Sequence, residues 1–231
     1  MRVLLSALVV GCVVLMAGAA QAGESGDSHG PGRGLTAEFE VSYLRFIINH
    51  HYGALRMTEL AAGSDEVRNP DLTPGEGTTP TEGFARVEAK ARLNELRSLA
   101  RRNNRAQREE ILTAQRFLRT WYGITHEPQL TESGREAIAI LEATPAGTAF
   151  DQAFIEVFSR HHFMAVVPST ECLVARDLNH PMLEGYCRSI VNAQLTDIEE
   201  MRHTYCDEYG VCDYQPLTGI RGRRSEAPRS P

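Results

Sequence analysis

Two His-His pairs are the residues of this sequence whose types and spacing could do chemistry. The first lies in INHHYGALRM (residues 48–57) and the second in SRHHFMAVVP (residues 159–168), each within an otherwise apolar stretch. A methionine follows each pair, Met57 in the first stretch and Met164 in the second. Imidazole and thioether groups together form a soft to borderline ligand set, which suits copper, especially Cu(I), or silver.

A hydrogen-bonded network of buried histidines and carboxylates that only fixes the packing is the alternative, and for a lone histidine it would be preferred. Two adjacent pairs in equivalent places favour a metal. His161 and Met164 are three residues apart, so one ion could contact both. His50 and Met57 are seven residues apart, about 10 Å along a helix axis, so we expect ligands from facing helices.

The elements that must position these residues are predicted to be helices. Apolar residues three or four apart predict a first long helix from Thr36 to a stop near Gly63. Residues 63–83 are rich in Gly, Pro and Thr and predict a loop. The next helix is predicted from about Glu82 to Trp121.

A second set of helices follows the first. A short helix is predicted over Gly134–Glu142, and a long helix carries His161. Pro168 is expected to kink that long helix or to end its first segment. The last helix is predicted from about Leu183 to Tyr209.

The two sets align with each other. FIINHH matches VFSRHH, and AQREEILTAQRFL (106–118) matches AQLTDIEEMRHTY (193–205). We interpret this as a duplicated helical hairpin, with repeats at 36–123 and 130–210. Two such hairpins predict an all-α, ferritin-like four-helix bundle.

Polar residues fall on the buried faces of these helices. Buried polar groups are costly unless they pair with each other or bind something. The candidate metal ligands are the four histidines, the nearby methionines and two carboxylates: His50, His51, Met57, His161, His162, Met164, Met201, Glu110 and Asp197.

The N-terminus predicts export. An apolar run from Val3 to Ala20 and an A-x-A site predict a signal peptide over residues 1–22, cleaved near Ala22. Residues 23–35 are predicted to be a flexible linker and residues 216–231 a disordered tail. The expected location is periplasmic or secreted; the alternative is a lipoprotein attached through Cys12, which would need a very short apolar region.

Four cysteines remain after the predicted cleavage. In an exported chain they favour the local disulfides Cys172–Cys187 and Cys206–Cys212 over a thiolate metal site.

Net charge, hydropathy and the motifs argue against nucleic-acid binding, a membrane span and several classes of enzyme. The formal charge of −6 does not favour nucleic acid, and no later segment is long and apolar enough to span a membrane. The sequence contains no nucleophilic triad, phosphate loop or dinucleotide fingerprint.

These residues resemble the domain-of-unknown-function 305 (DUF305) family, which includes periplasmic copper- and silver-binding proteins of the CopM type. The resemblance covers about residues 36–122 and 148–206 and implies a ferritin-like bundle with a role in metal binding or tolerance. It rests on His50, His51, Ala54, Met57, Gln107, Glu110 and Ile111 in the first half, and on Phe150, Asp151, Phe154, His161, His162, Met164, Ala165, Gln194, Asp197, Ile198 and Met201 in the second.

The sequence also departs from the family pattern. Ala114 replaces the methionine of the second motif in the first half, and Pro168 replaces that of the first motif in the second half. Each half thus keeps one motif methionine, Met57 or Met201. The hypothesis is either one better and one degraded site, or a single composite site that uses both methionines.

Three alternatives stay open. The first is a secreted helical interaction or structural bundle without metal. The second is a metal-dependent oxidase, although the di-iron motif Glu-x-x-His occurs only once, at Glu200–His203. The third concerns partners: a homo-oligomer and a periplasmic metal-handling partner are both compatible with the sequence.

Overall fold

Four long helices and one short helix form the part of the chain that the computed structural model describes, residues 36–64, 78, 80–175 and 177–216. The predicted signal peptide, the linker and residues 217–231 of the predicted tail lie outside it. The helices are α1 (Thr36–Ala62), α2 (Asn94–Tyr122), α3 (Glu132–Ala143), α4 (Thr148–Val174) and α5 (Met182–Tyr209). These ranges contain no strand, which confirms the all-α prediction.

The long helices pair as two antiparallel hairpins. α1 packs along α2, and α4 packs along α5. The hairpins join chiefly through α1 and α4, which also run antiparallel, because Tyr43 bonds Ser169 while His50 bonds His161. The short helix α3 lies against α1 and α4. Among these helices, none is long and apolar enough to cross a membrane.

The hairpins correspond in their boundaries. Adding 111 to the numbers of α1 gives 147–173, beside the observed 148–174, and adding 87 to α2 gives 181–209, beside 182–209. α2 and α5 also end alike, at Gly123 and Gly210, both in the left-handed region with φ of 67° and 69°. Each glycine N–H and the N–H that follows it bond back to the last turn of the helix, as in a Schellman motif.

The start of α2 differs from the sequence-based expectation. The helix begins at Asn94 rather than near Glu82, and residues 84–93 are not helical. The backbone N–H groups of Lys90 and Ala91 donate to the carbonyls of Leu60 and Ala61. These carbonyls belong to the last turn of α1, which has no intrahelical donors for them. The segment therefore caps α1 instead of extending α2.

Pro168 does not end the helix that contains it. α4 continues to Val174, so the expectation that Pro168 ends the first segment of the helix is wrong. Proline removes the hydrogen bond to the carbonyl four residues earlier, at a cost of about 3 kcal/mol. Contacts just beyond it hold the helix: Ser169 bonds Tyr43 at 2.9 Å, and Cys172 is disulfide-bonded to Cys187 on α5.

Both predicted disulfides are present. Cys172–Cys187 links α4 to α5 at a sequence separation of 15, and Cys206–Cys212 joins the end of α5 to the segment that follows it at a separation of 6. The sequence-based pairing is therefore confirmed.

A close helix crossing provides a test of this packing. A Cβ added at Gly53 on α1 would lie 3.4 Å from the Cα of Gly134 on α3 and 3.6 Å from the methyl of Met57. We expect Gly53→Leu to lower the free energy of unfolding by about 1–3 kcal/mol through overpacking. Urea denaturation measures this change.

The control is Gly185→Ala. Gly185 is an exposed helical glycine, and no atom of the described residues outside its own helix lies within 4 Å of an added Cβ. That variant should gain up to about 1 kcal/mol from helix propensity. Equal stability of both variants would show that α1 and α3 do not meet at Gly53.

Candidate metal centre

A layer of polar side chains crosses the bundle between two apolar clusters. One cluster contains Phe150, Phe154 and Phe158, and the other contains Ile47, Phe117 and Ile190. On each long helix, the polar residues of this layer lie in sequence between residues of the two clusters. We call this set the polar layer: His50, His51, Asn103, Gln107, Glu110, His161, His162, Gln194 and Asp197. All are buried except the two carboxylates, whose side chains are each 17% exposed.

His50 and His161 join the two hairpins at the centre of the layer. Their rings stack with centroids 3.7 Å apart and planes 12° from parallel. The Nε2 of His50 donates to the carbonyl of His161 at 3.0 Å, and the Nε2 of His161 donates to the carbonyl of His50 at 3.1 Å. A carbonyl only accepts, so each ring carries its proton on Nε2. The Nδ1 of His161 is buried and has no hydrogen-bond partner among the described residues.

Both of these rings are held neutral. Burial, with the neighbouring His51 adding to it, lowers the pKa of His50 to about 3. Burial and the adjacent His50 lower the pKa of His161 well below its ordinary value. The cause in each case is the loss of hydration of a charged imidazolium. Neutral imidazole is the form that binds metals.

Both ring nitrogens of His162 lie within hydrogen-bond distance of protein oxygens. Its Nδ1 lies 2.9 Å from the carbonyl of Phe158, and its Nε2 lies 3.0 Å from Asn103 Oδ1 and 3.3 Å from Asp197 Oδ2. Asn103 is fixed in this orientation because its Nδ2 donates to the carbonyl of Leu99. The ring nitrogens therefore both point at protein oxygens.

His51 occupies the equivalent place in the first hairpin without equivalent partners. Its Nε2 is 2.9 Å from Glu110 Oε2, but the angles are not those of a hydrogen bond. Within the described chain neither ring nitrogen of His51 is hydrogen-bonded, although the side chain is fully buried. The close, unaligned pair of nitrogen and carboxylate oxygen is an arrangement that an ion could occupy.

The predicted methionines have different positions. Met57 and Met201 are fully buried in the same apolar cluster, adjacent to the polar layer. Met57 reaches back to Gly53, and the Sδ of Met201 accepts from Ser159 Oγ at 3.5 Å. Met164 is only half-buried. In the described residues no three His, Cys, Asp or Glu side chains converge closely enough to form a metal site by themselves.

Asn103 is the residue of the layer that the sequence analysis missed. It lies four residues before Gln107 on the same face of α2, and that spacing is the signal that could have found it. Gln107 Nε2 donates to Asn103 Oδ1 at 3.2 Å, so the two amides form one network with His162.

His180 is engaged away from the layer. Its Nδ1 lies 2.7 Å from Oε2 of the buried Glu40, which also accepts from Tyr122, and its ring stacks on Trp121 with centroids 4.2 Å apart. This contact ties the turn between α4 and α5 to the first hairpin.

A protein-family model matches the central part of the chain. The model described as "Domain of unknown function (DUF305)" matches residues 84–205, more than half of the chain. The chain belongs to the DUF305 family. A comparison with curated proteins gives no match.

Solved structures share the DUF305 fold of this chain. CopM in the Cu(I)-bound form has a TM-score of 0.53 and 21% identity, and the match covers 74% of this chain and 98% of CopM. CopM in the Ag-bound form (co-crystallised) has a TM-score of 0.53, 20% identity and the same coverage. CopM in the Cu(II)-bound form has a TM-score of 0.53 and 20% identity, with 74% and 97% covered. At these identities the likeness establishes the fold.

The neutral histidines make stability depend on pH. Between pH 6.5 and about 3 the unfolded chain binds a proton at His50 that the folded protein does not bind. The metal-free protein should therefore lose stability as the pH falls from 7, by about 2 kcal/mol from His50 alone at pH 5. Urea denaturation at several pH values measures this loss.

Two variants test whether His50 causes this loss of stability at low pH. His50→Gln should make the pH dependence less steep, with the contribution of His161 remaining, whereas His203→Gln should leave it as in the wild type because the His203 side chain is 74% exposed. An unchanged slope in His50→Gln would contradict the assignment.

Proposed function

We propose that this protein binds copper, above all Cu(I), in the polar layer between its hairpins, for metal handling or tolerance. The observation that carries the proposal is a group of buried donor atoms with no hydrogen-bond partner among the described residues: both ring nitrogens of His51, Glu110 Oε2, His161 Nδ1, Gln107 Oε1 and Gln194 Oε1. Buried polar atoms without partners cost about 1–3 kcal/mol each. A bound cation would satisfy the lone pairs in this group.

His51 and Glu110 lie close enough together that both would hold one ion. The observed separation of Nε2 and Oε2 is 2.9 Å. Imidazole and carboxylate donors suit Cu(II), and further soft ligands would favour Cu(I).

Met57 and Met201 are proposed to supply those soft ligands as one composite site. Methionine side chains in helices lean toward the N-terminus, which on both α1 and α5 is the direction of the polar layer. The contact of Met57 with Gly53 follows this direction. CopM has been solved with Cu(I), Cu(II) and Ag bound, which supports testing these ions.

Export is part of the proposal. Two disulfides are typical of proteins outside the reducing cytosol. We propose that residues 1–22 are removed as a signal peptide and that the two hairpin repeats act in the periplasm or outside the cell. The N-terminal residue of the protein isolated from its native host tests the cleavage.

A purely structural bundle is the second candidate. It is favoured by the reciprocal bonds between His50 and His161, which satisfy both Nε2 atoms without a metal. In that case the polar layer would only set the register of the hairpins.

A Cu(I) competition titration of the protein without its first 22 residues separates the two candidates. We expect His51→Gln to weaken Cu(I) binding by more than about tenfold, because the variant lacks the imidazole lone pair. His203→Gln, an exposed histidine, should bind as the wild type does. If the wild type does not bind Cu(I) tightly, and substitutions in the polar layer only lower the stability, the structural bundle is supported.

The composite site has its own test. Met57→Leu and Met201→Leu are nearly volume-conserving, so each should cost less than about 1.5 kcal/mol in folding. Each is expected to weaken Cu(I) binding while leaving Cu(II) binding nearly unchanged, because only Cu(I) prefers thioether ligands. Met164→Leu is the control outside the composite pair. The composite site is wrong if neither buried-methionine variant changes the Cu(I) affinity.

A further inference from the structure

The two halves of the polar layer differ at one pair of equivalent positions in whether the side chain can form a hydrogen bond at all. Gln107 and Glu110 on α2 correspond to Gln194 and Asp197 on α5, each 87 residues later. By the same offset, Ile190 is the residue of α5 that is equivalent to Asn103 of α2. Asn103 is a buried amide that contacts His162 at 3.0 Å. Ile190 is fully buried and has no side-chain hydrogen-bonding group.

This difference accounts for the different states of the two histidines. His162 has Asn103 and Asp197 at its Nε2 and the carbonyl of Phe158 at its Nδ1. With isoleucine at the corresponding place, the described part of the second hairpin offers no such amide to His51. Its two nitrogens stay without hydrogen bonds.

We propose that Asn103 determines which half of the polar layer takes up the metal: it occupies His162 and leaves His51 as the receiving imidazole. The inference rests on the proposed copper binding and adds to it a residue that sets the position of the ion. Asn103 acts through His162 and is therefore a positioning residue rather than a ligand.

The physical reason is competition with hydrogen bonds that already exist. Asn103 Oδ1 and Asp197 Oδ2 both accept from the Nε2–H of His162, so an ion at this nitrogen would have to replace that proton. It would thereby displace Asn103 and Asp197 from Nε2. The displaced Asn103 Oδ1 would then keep only its bond from Gln107, inside a buried layer. Among the described residues, an ion at His51 displaces no hydrogen bond and satisfies atoms that otherwise have none.

The first experiment compares His51→Gln with His162→Gln in full titrations with Cu(I) and Ag(I). We expect one equivalent in the wild type. His162→Gln should keep that equivalent with less than about a threefold change in affinity, and His51→Gln should lose it by more than about tenfold. Equal losses in both variants would overturn the inference while leaving copper binding established. No binding in the wild type would instead remove the proposed function itself.

Exchange variants test the role of Asn103 directly. Asn103→Ile should release His162 and give a second equivalent of Ag(I), and Ile190→Asn should weaken the first equivalent about tenfold or more. Thermal unfolding of the metal-free variants establishes that each is folded. A folded Asn103→Ile variant that still binds one equivalent would overturn the inference.

An NMR measurement on the wild-type protein tests the same inference without the exchange variants. NMR of ring-labelled histidines in the wild-type protein follows His51 and His162 separately as diamagnetic Ag(I) is added. The resonances of His51 should shift with the first equivalent and those of His162 should not. A first equivalent that shifts the ring of His162 alone would contradict the role given to Asn103.

Discussion

The reciprocal hydrogen bonds between His50 and His161 are the constraint on which the rest of the structure depends. Each ring donates to a carbonyl on the facing helix, so both bonds form together at only one longitudinal position of α1 against α4. A slide of one residue would leave two buried imidazole N–H groups unsatisfied, which is costly in a dry interior. This pair therefore sets the register of the hairpins and brings the other polar residues to one level.

That register divides the apolar core into two clusters. A continuous core would bury more apolar surface and would need no amide or imidazole network. The histidines beside the central pair do not have the same environment. Both ring nitrogens of His162 lie within hydrogen-bond distance of protein oxygens, whereas His51, within the described residues, faces a carboxylate without a hydrogen bond. Buried polar atoms that the protein itself does not satisfy are the reason to look for a ligand at this level.

The sequence predicted the helices, the pairing of the disulfides and the polar residues that share the bundle interior. These follow from periodicity and spacing, which depend only on local geometry. The start of α2 was not predictable because residues 84–93 cap α1, a contact with a distant segment. The continuation of α4 through Pro168 likewise depends on tertiary contacts, those of Ser169 and Cys172. Of the candidate site, the sequence supplied the histidines and carboxylates but not Asn103.

The two hairpins have equivalent helix boundaries but different hydrogen bonds among their buried side chains. These two properties have different physical origins. Offsets of 111 and 87 residues relate the helix boundaries, and Gly123 and Gly210 end α2 and α5 in the same way. These matches support the proposal of an internal duplication. Packing requires both hairpins to present similar faces, so large changes of shape would disturb the shared core. Isoleucine at the place of an asparagine removes both the donor and the acceptor of a buried amide. The halves can therefore differ in hydrogen bonding while the helices keep their positions. Such differences have the largest effect where polar groups are buried, because hydrogen bonds are stronger in a protein interior than in water.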